Sequence, residues 1–159
     1  MKKSPGIYIH VPFCEKKCDY CDFYSLPKKG EADFDDYAEN LLREIALYED
    51  AMSIGVSTVF FGGGTPSLIG TDRLVQIIKK LRPFLNEGAE ITMEGNPESV
   101  LHLDVAALID AGFNRFSMGV QSASDRLLNI MGRIHDKTTA EDAFHHLREG
   151  GAKNINLDF

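Results

Sequence analysis

Short apolar runs alternate with amphipathic stretches along the 159 residues, and this alternation limits the possible folds more than any other feature of the sequence. Five runs have the length and residue types of β-strands, at residues 7–11, 58–61, 91–94, 115–120 and 154–159. Segments with helical spacing lie between them. Strands and helices in turn predict an α/β fold with a parallel sheet of βα units, most simply part of a (β/α) TIM-like barrel.

The helical segments carry apolar stripes at the spacing of one helix face. The first stripe consists of Phe34, Tyr37, Leu41, Leu42, Ile45 and Tyr48, and the second of Leu74, Ile77, Ile78 and Leu81. We predict Asp33 as the N-cap of the first helix, and a second helix that begins after Thr71 and ends before Pro83. Further helices are predicted over residues 103–110, 125–131 and 139–149. His135, His145 and His146 lie in or beside these helices and are interpreted as surface residues.

Every predicted strand except the second carries its polar side chains mainly on one face. These faces hold Tyr8 and His10, then Thr92, Glu94 and Asn96, then Ser117, Gly119 and Gln121, and finally Asn154, Asn156 and Asp158. They would meet solvent in an open antiparallel sheet, or line a polar barrel interior that holds a ligand. The intervening helices favour the interior, with Glu94, Gln121 and Asp158 near the carboxyl ends of strands, where barrel sites form.

The composition, 43% hydrophobic and 26% charged, is that of a globular protein with a substantial core. The net charge of −7 argues against a nucleic-acid or membrane-surface binder, because both favour a basic face. No apolar run approaches the roughly 20 residues that span a bilayer, and no segment has the pattern of a signal peptide. We therefore expect a cytoplasmic protein whose thiols stay reduced.

All three cysteines lie in "CEKKCDYC", residues 14–21, with the spacing C-x₃-C-x₂-C directly after the first strand. Structural zinc usually takes four ligands, and His10 is a poor fourth because it points into the predicted interior. A redox CxxC pair leaves Cys14 unexplained. Three buried structural cysteines do not suit the charged residues around them. A [4Fe–4S] cubane normally takes four thiolates, and with three it keeps one iron open to a substrate or cofactor.

The cysteine spacing resembles that of the radical S-adenosylmethionine (radical SAM) superfamily. The stretch "GIYIHVPFCEKKCDYCDFYS" is similar to the family of oxygen-independent coproporphyrinogen III oxidases and their relatives, the HemW haem chaperones. The similarity continues through "FFGGGTPSL", "ITMEGNPES", "GFNRFSMGVQSASDRLLNIMGRIHD" and "NINLDF". It implies that residues 1–159 are the N-terminal portion of a radical SAM barrel domain, with the rest of the barrel and a C-terminal domain outside this sequence. A closed eight-unit barrel needs about 250 residues, so 159 residues correspond to only part of one.

The resemblance also implies the cofactors and their ligands. Cys14, Cys18 and Cys21 would hold three irons of a [4Fe–4S] cluster, and the fourth iron would take the amino and carboxylate groups of S-adenosylmethionine. The residues implied to contact S-adenosylmethionine are Tyr8, Tyr20, Gly63, Gly64, Thr65, Glu94, Gln121, Arg133 and Asp158. Of these, Gln121, Arg133 and Asp158 match a second S-adenosylmethionine site of the decarboxylases. These residues could also have purely structural roles. Arg133 could be a surface cation stabilised at the end of a helix, and Glu94 or Asp158 could cap a neighbouring helix.

The two branches of the family differ beside the cysteines. The decarboxylase branch has a motif similar to C-x₃-C-x₂-C-G-C, which follows a long N-terminal extension. In this sequence Asp22 and Phe23 follow Cys21, and the first strand begins at residue 7. This favours the HemW type, which binds and transfers haem, over an oxidase that acts on coproporphyrinogen III. The implied partners are haem or a porphyrinogen, a haem-acceptor protein, and an electron donor such as flavodoxin or ferredoxin. Haem is expected to bind to the full-length protein only, because the resemblance places the residue that ligates haem in the C-terminal region.

Overall fold

One five-stranded parallel sheet forms the centre of the protein in the computed structural model, which describes residues 4–27 and 30–159. The strands lie side by side in sequence order: β1 (Gly6–Val11), β2 (Val56–Gly63), β3 (Leu85–Gly95), β4 (Arg115–Gly119) and β5 (Ile155–Asp158). A short pair, Phe13–Cys14 with Leu26–Pro27, lies in the loop that follows β1. The predicted α/β class is confirmed, and β2 and β3 extend beyond their predicted ends.

Helices connect successive strands, as the apolar stripes predict. They are α1 (Glu31–Leu47), α2 (Thr71–Leu81), α3 (Val105–Ala111), α4 (Asp125–Ile130) and α5 (Lys137–Glu149). The structure also contains shorter helical turns that the sequence pattern does not predict: Glu49–Met52, Pro66–Ile69, Arg82–Phe84 and Pro97–Val100. The second stripe is fully buried along α2 and belongs to the core, and the helix ends before Pro83 as predicted.

The predicted N-cap of α1 is wrong by three residues. Gly30 occupies the N-cap position, and Asp33 lies at the third position of the helix. The Asp33 carboxylate accepts a hydrogen bond from the Gly30 amide at 3.0 Å. Asp33 therefore satisfies a backbone donor at the start of the helix from within the first turn, as the acidic member of a capping box does.

The strand register places one apolar row across the whole sheet. Ile9 pairs with Phe61, Phe61 with Met93, Met93 with Phe116, and Phe116 with Ile155. The first four of these side chains are buried, and they belong to a single hydrophobic core that includes the inner faces of the helices. Because side chains alternate along a strand, the next residue of each strand faces the other way. The core therefore lies on the helix-covered face of the sheet.

The opposite face is polar, as the alternation in the sequence predicts. Glu94 of β3 pairs with Ser117 of β4, and Ser117 pairs with Asn156 of β5. Asn156 Nδ2 donates to Ser117 Oγ at 3.1 Å, which joins the two strands through their side chains as well as their backbones. This face carries Glu94 and Asp158, two of the residues predicted to contact a ligand.

Within the described residues, none of the helices combines the length and the apolar character that crossing a membrane requires.

The outer edge of β5 pairs with no other strand in residues 4–27 and 30–159. Beside it lies an apolar cleft lined by residues that include Val120, Phe144, Leu157 and Phe159. The Phe159 ring is 74% exposed. An unpaired strand edge next to exposed apolar groups is a template for association with another chain.

We therefore expect the 159-residue chain, expressed by itself, to self-associate, and Phe159→Lys to reduce that association. Light scattering across a concentration series measures the effect. Leu47→Lys is the matched control, because Leu47 is 82% exposed on α1 and lies outside the cleft. A chain that stays monomeric at high concentration, or equal effects of the two substitutions, would contradict the prediction.

Candidate functional site

The three cysteines lie in the loop between β1 and α1 and line one cavity of about 200 Å³. All three are half-buried free thiols. The Cys21 amide donates to the Cys18 carbonyl at 3.1 Å, so the last two cysteines share a tight turn. The Asp19 amide donates to the Met131 carbonyl at 3.4 Å, which holds this turn against the segment after α4. The loop thus presents its thiols to the carboxyl edge of the sheet.

The thiols are not arranged as the ligands of one metal ion. Among the described residues, no three His, Cys, Asp or Glu side chains form a group suited to a single ion. A structural zinc site requires four ligands that converge on one centre. A cubane makes no such demand, because each thiolate binds a different iron of the cluster.

The glycine motif after β2 lies directly against the cysteine loop. The Gly64 amide donates to the Val11 carbonyl at 2.8 Å, and the Thr65 amide donates to the Phe13 carbonyl at 2.7 Å. A Cβ atom on Gly64 would lie 2.5 Å from the Phe13 oxygen, so only glycine permits this backbone contact. The motif therefore anchors the chain immediately before Cys14, which is a structural role beside any contact with a ligand.

Gly63 is required for a second reason. Its φ of 106° lies in the region that glycine adopts readily, and a Cβ atom there would approach the His10 ring to 2.5 Å. The His10 ring also lies within 3.0 Å of the Tyr24 carbonyl and 3.2 Å of the Tyr8 hydroxyl. His10 therefore points toward the polar face, as predicted, and packs where a larger residue at position 63 would clash.

Acidic side chains reach the cavity from the carboxyl ends of β3 and β5. The Ser117 hydroxyl donates to one Asp158 oxygen at 3.1 Å, and Asn156 Nδ2 donates to the other at 2.7 Å. These bonds fix the Asp158 carboxylate at the rim. Glu94 and Asp158 line the same cavity wall as the cysteines.

Burial raises the pKa of Glu94 above its ordinary value of 4.5. A hydrogen bond from the Gly63 backbone opposes this shift, the nearby Asp158 charge adds to it, and Arg115 opposes it. The dominant cause is the loss of water around a carboxylate, which disfavours its charged form. A cationic ligand in the cavity would relieve that penalty.

The Arg133 guanidinium crosses the cavity wall and contacts three segments of the chain. One terminal nitrogen donates to Cys18 Sγ at 3.5 Å, and the other donates to Asn96 Oδ1 at 2.8 Å and to the Gly119 carbonyl at 2.7 Å. The Nε atom is buried and has no hydrogen-bond partner in residues 4–27 and 30–159. Arg133 also lines the cavity with a permanent positive charge, which favours an anionic ligand such as a carboxylate.

Gln121 reaches the cavity through an unusual backbone conformation. Its φ is 68°, and among the described residues it is the only non-glycine residue with a positive φ. The backbone N–H of Gln121 donates to the backbone carbonyl of Asp158 at 2.7 Å, which ties the end of β4 to β5. Strained conformations of this kind concentrate at functional sites, where the surrounding structure enforces them.

The structure brings together most of the residues that were predicted to bind a cluster or S-adenosylmethionine. The cavity is lined by Cys14, Cys18, Tyr20, Cys21, Gly63, Gly64, Thr65, Glu94, Gln121, Arg133 and Asp158. Tyr8 does not line it: the side chain is 56% exposed and stacks on Phe60 beside the cavity. Asn96 and Ser117 line the cavity and were not named as site residues. Their position on the polar face of β3 and β4 was the signal that could have identified them.

The interpretation of His135 as a surface residue is wrong. Its side chain is buried, with Nε2 3.1 Å from the Val120 carbonyl and Nδ1 3.4 Å from a Glu98 carboxylate oxygen. Neither Nδ1 nor that oxygen has a hydrogen-bond partner among the described residues. His146 is half-buried and lies 2.8 Å from the Leu103 carbonyl, whereas His145 is exposed as predicted.

The residues present suit an iron–sulfur cluster and a zwitterionic ligand. Three free thiols share one cavity, and two of their sulfur atoms accept hydrogen bonds from Arg133 and Thr65. Hydrogen bonds to cysteine sulfur are typical around iron–sulfur clusters. The positive charge of Arg133 suits a carboxylate, and the partly buried Glu94 suits an ammonium or hydroxyl group.

Comparison with known proteins matches residues 8–159 to the radical SAM superfamily. The chain is 41% identical over 168 residues to the heme chaperone HemW of Escherichia coli (strain K12), and 35% identical over 167 residues to that of Haemophilus influenzae. These alignments cover 99% of this chain and 43% and 44% of the relatives. The chain therefore spans less than half the length of these relatives.

Among solved structures, the chain is similar to the coproporphyrinogen III oxidase HemN of Escherichia coli, described as a radical SAM enzyme. The TM-score is 0.85 at 31% sequence identity, and the match covers 98% of this chain and 37% of that one. The structure of methylornithine synthase matches with a TM-score of 0.59 at 12% identity, which reflects the fold alone.

The raised pKa of Glu94 predicts a specific pH dependence of stability. The folded carboxyl holds its proton to higher pH than the unfolded one, so the folded state binds more protons between the two pKa values. The free energy of unfolding therefore falls as the pH rises from about 4.5 through the raised pKa. Glu94→Gln should remove this fall and make the cluster-free chain more stable than the parent at neutral pH.

Urea unfolding of both proteins between about pH 4.5 and 8 tests this expectation. Glu87→Gln is the control, because Glu87 is exposed on the same strand. Parallel stability curves for the parent and Glu94→Gln would show that the carboxylate carries no desolvation penalty in the folded chain.

Proposed function

Because the chain belongs to the radical SAM superfamily, we propose that it forms the cluster-binding part of a heme chaperone of the HemW type. In this proposal residues 1–159 are the N-terminal portion of a radical SAM barrel domain in a longer protein. The observation that carries it is the single cavity that combines three free thiols, the glycine motif and the charged ends of the strands.

Each cysteine of the loop has one task in this proposal. Cys14, Cys18 and Cys21 hold three irons of a [4Fe–4S] cluster, and the fourth iron stays available to S-adenosylmethionine. The backbone bonds from Gly64 and Thr65 fix the loop against the sheet edge, which sets the position of the first thiol. A cluster of this kind is labile to oxygen, and we place the protein in a reducing compartment such as the cytoplasm.

The polar wall supplies the contacts for S-adenosylmethionine. Glu94 and Asp158 offer acceptors to its ammonium and hydroxyl groups, and the positive charge of Arg133 attracts its carboxylate. Tyr20 lies between the last two cysteines and provides an aromatic surface for the adenine. The glycines leave the backbone open to the methionine end. When bound, the two groups supply a one-electron reductive cleavage that yields methionine and a 5′-deoxyadenosyl radical.

The haem chaperone is favoured over a coproporphyrinogen III oxidase by the residues after Cys21. The oxidase branch has a sequence similar to C-G-C from the last cluster cysteine onward. In this chain the residues that follow Cys21 are Asp22 and Phe23. The Phe23 side chain lines the same cavity as the thiols. A phenyl ring can neither transfer a proton nor form a thiyl radical. In this proposal haem binds to the full-length protein, which passes it to an acceptor protein and draws electrons from a donor such as flavodoxin or ferredoxin.

The cluster prediction can be tested by iron and sulfide analysis after anaerobic reconstitution. We expect about one [4Fe–4S] cluster per chain, with the broad visible absorption of thiolate-bound iron. A serine at position 14, 18 or 21 should abolish stable loading. Ser25→Ala is the control, since Ser25 lines the cavity without offering a thiolate. Stoichiometric iron and sulfide in the triple Cys→Ser protein would refute the ligand assignment.

The branch prediction concerns the full-length protein loaded with cluster and S-adenosylmethionine under reducing conditions. We expect it to bind haem and not to convert coproporphyrinogen III to protoporphyrinogen IX, because a missing catalytic group costs orders of magnitude in rate. Product analysis with the HemN oxidase as positive control provides the measurement. Turnover of about one per second or faster would assign the protein to the oxidase branch instead. The 159-residue chain by itself should bind haem weakly or not at all.

A further inference from the structure

A continuous path of hydrogen bonds joins two of the three cysteine sulfurs. Thr65 Oγ1 donates to Cys14 Sγ at 3.8 Å, and Arg133 donates to Cys18 Sγ at 3.5 Å. Asn96 lies between these two donors. Its Nδ2 donates to Thr65 Oγ1 at 3.1 Å, and its Oδ1 accepts from Arg133 at 2.8 Å. The path therefore runs from one thiol to the other through three side chains.

The three side chains come from three separate elements. Thr65 follows β2, Asn96 follows β3, and Arg133 lies after α4. Thr65 is 2% exposed, so its hydroxyl has little freedom to turn elsewhere. The Gly119 carbonyl holds the Arg133 guanidinium from a fourth element at 2.7 Å. Such a path forms only when the sheet edge and the cysteine loop are correctly packed.

An asparagine at position 96 suits this path better than other residues of its size. A guanidinium can only donate hydrogen bonds, so the Asn96 oxygen must face Arg133 and its amide nitrogen must face Thr65. This leaves the Thr65 hydroxyl proton free to point at Cys14. An aspartate could accept from Arg133 but could not donate to Thr65, and a leucine could do neither.

We propose that Asn96 is a positioning residue that aims Arg133 and Thr65 at the sulfurs of Cys18 and Cys14 and so raises the reduction potential of the cluster. The inference rests on the proposed function, since it presumes that these cysteines hold the cluster. Reduction adds one negative charge to the cluster, and some of it resides on the sulfurs. Donors and a fixed positive charge beside those sulfurs stabilise the reduced form more than the oxidised form.

The proposed test measures the midpoint potential of the cluster-loaded protein without S-adenosylmethionine. An anaerobic titration with dithionite as electron donor and redox mediators, followed by electron paramagnetic resonance of the reduced cluster, gives this value for each variant. Iron and sulfide content is measured on the same samples. The two readouts separate a change of potential from a simple loss of cluster, which a merely structural role would produce.

For Arg133→Met we expect the ratio of reduced to oxidised cluster at a fixed potential to fall about tenfold, a shift of about 59 mV to more negative values. Asn96→Leu and Thr65→Val should shift the potential in the same direction by less. Arg133→Lys keeps the charge but cannot reach three partners at once, and it should lie between Arg133→Met and the parent. Arg43→Met removes an equal charge from the exposed face of α1 and should leave the potential unchanged.

A double substitution tests whether Asn96 acts through its neighbours. In the Arg133→Met protein the path to Cys18 is already broken, so Asn96 can act only through Thr65. Adding Asn96→Leu to that protein should therefore lower the potential by no more than Thr65→Val does. A full additional shift would mean that Asn96 acts on the cluster independently. That result would overturn its assignment as a positioning residue.

Unchanged potentials in loaded Asn96→Leu and Arg133→Met would overturn the inference, as would shifts seen only after S-adenosylmethionine is added. If Arg133→Met fails to load, the milder variants Arg133→Lys and Thr65→Val decide by the same criterion. Failure of the parent protein to load any cluster would instead refute the proposed function.

Discussion

The parallel register of the five strands is the constraint on which the rest of this structure depends. It aligns Ile9, Phe61, Met93, Phe116 and Ile155 in one row beneath the helices. The same register turns the alternate residues toward the cavity and brings all the strand ends to one edge. A slip of one residue in any strand would exchange its apolar and polar faces. The burial of the apolar row therefore fixes the position of Glu94 and its polar neighbours as firmly as it fixes the core.

The cysteine loop depends on that edge for its position. The Gly64 and Thr65 amides hold the chain just before Cys14, and the Tyr37 hydroxyl of α1 donates to the His10 carbonyl at 2.8 Å. These contacts hold the segment that leads into Cys14. The contact between Asp19 and Met131 holds the middle of the loop from the far side of the cavity. A loop with three half-buried thiols thus acquires a defined place from the backbone around it, which a cluster with three ligands requires.

The cavity contains several features that reduce the stability of the folded chain. Glu94 is partly shielded from water, Gln121 has a positive φ, and Arg133 Nε lacks a partner among the described residues. Each costs free energy in a protein without its ligands. A ligand with an ammonium group and a carboxylate would satisfy the two charged residues together. The buried core under the sheet supplies the stability that offsets these local costs.

The sequence by itself determined the α/β class, the five strands and most of the cavity lining. The class, the strands, the polar face of the sheet and the cysteine cluster follow from local rules: helical and strand periodicity, side-chain alternation, and the adjacency of three cysteines along the chain. The other lining residues, such as Tyr20, Gly64 and Arg133, were predicted from the resemblance of the sequence motifs to the radical SAM family. Only the tertiary structure decided that Asn96 joins two cysteine donors, that His135 is buried against Glu98, and that Tyr8 lies beside the cavity instead of in it. Each of these depends on which segments, distant in sequence, pack against one another. No local pattern encodes that choice, because it is set by the combined packing of the sheet, the helices and the cysteine loop.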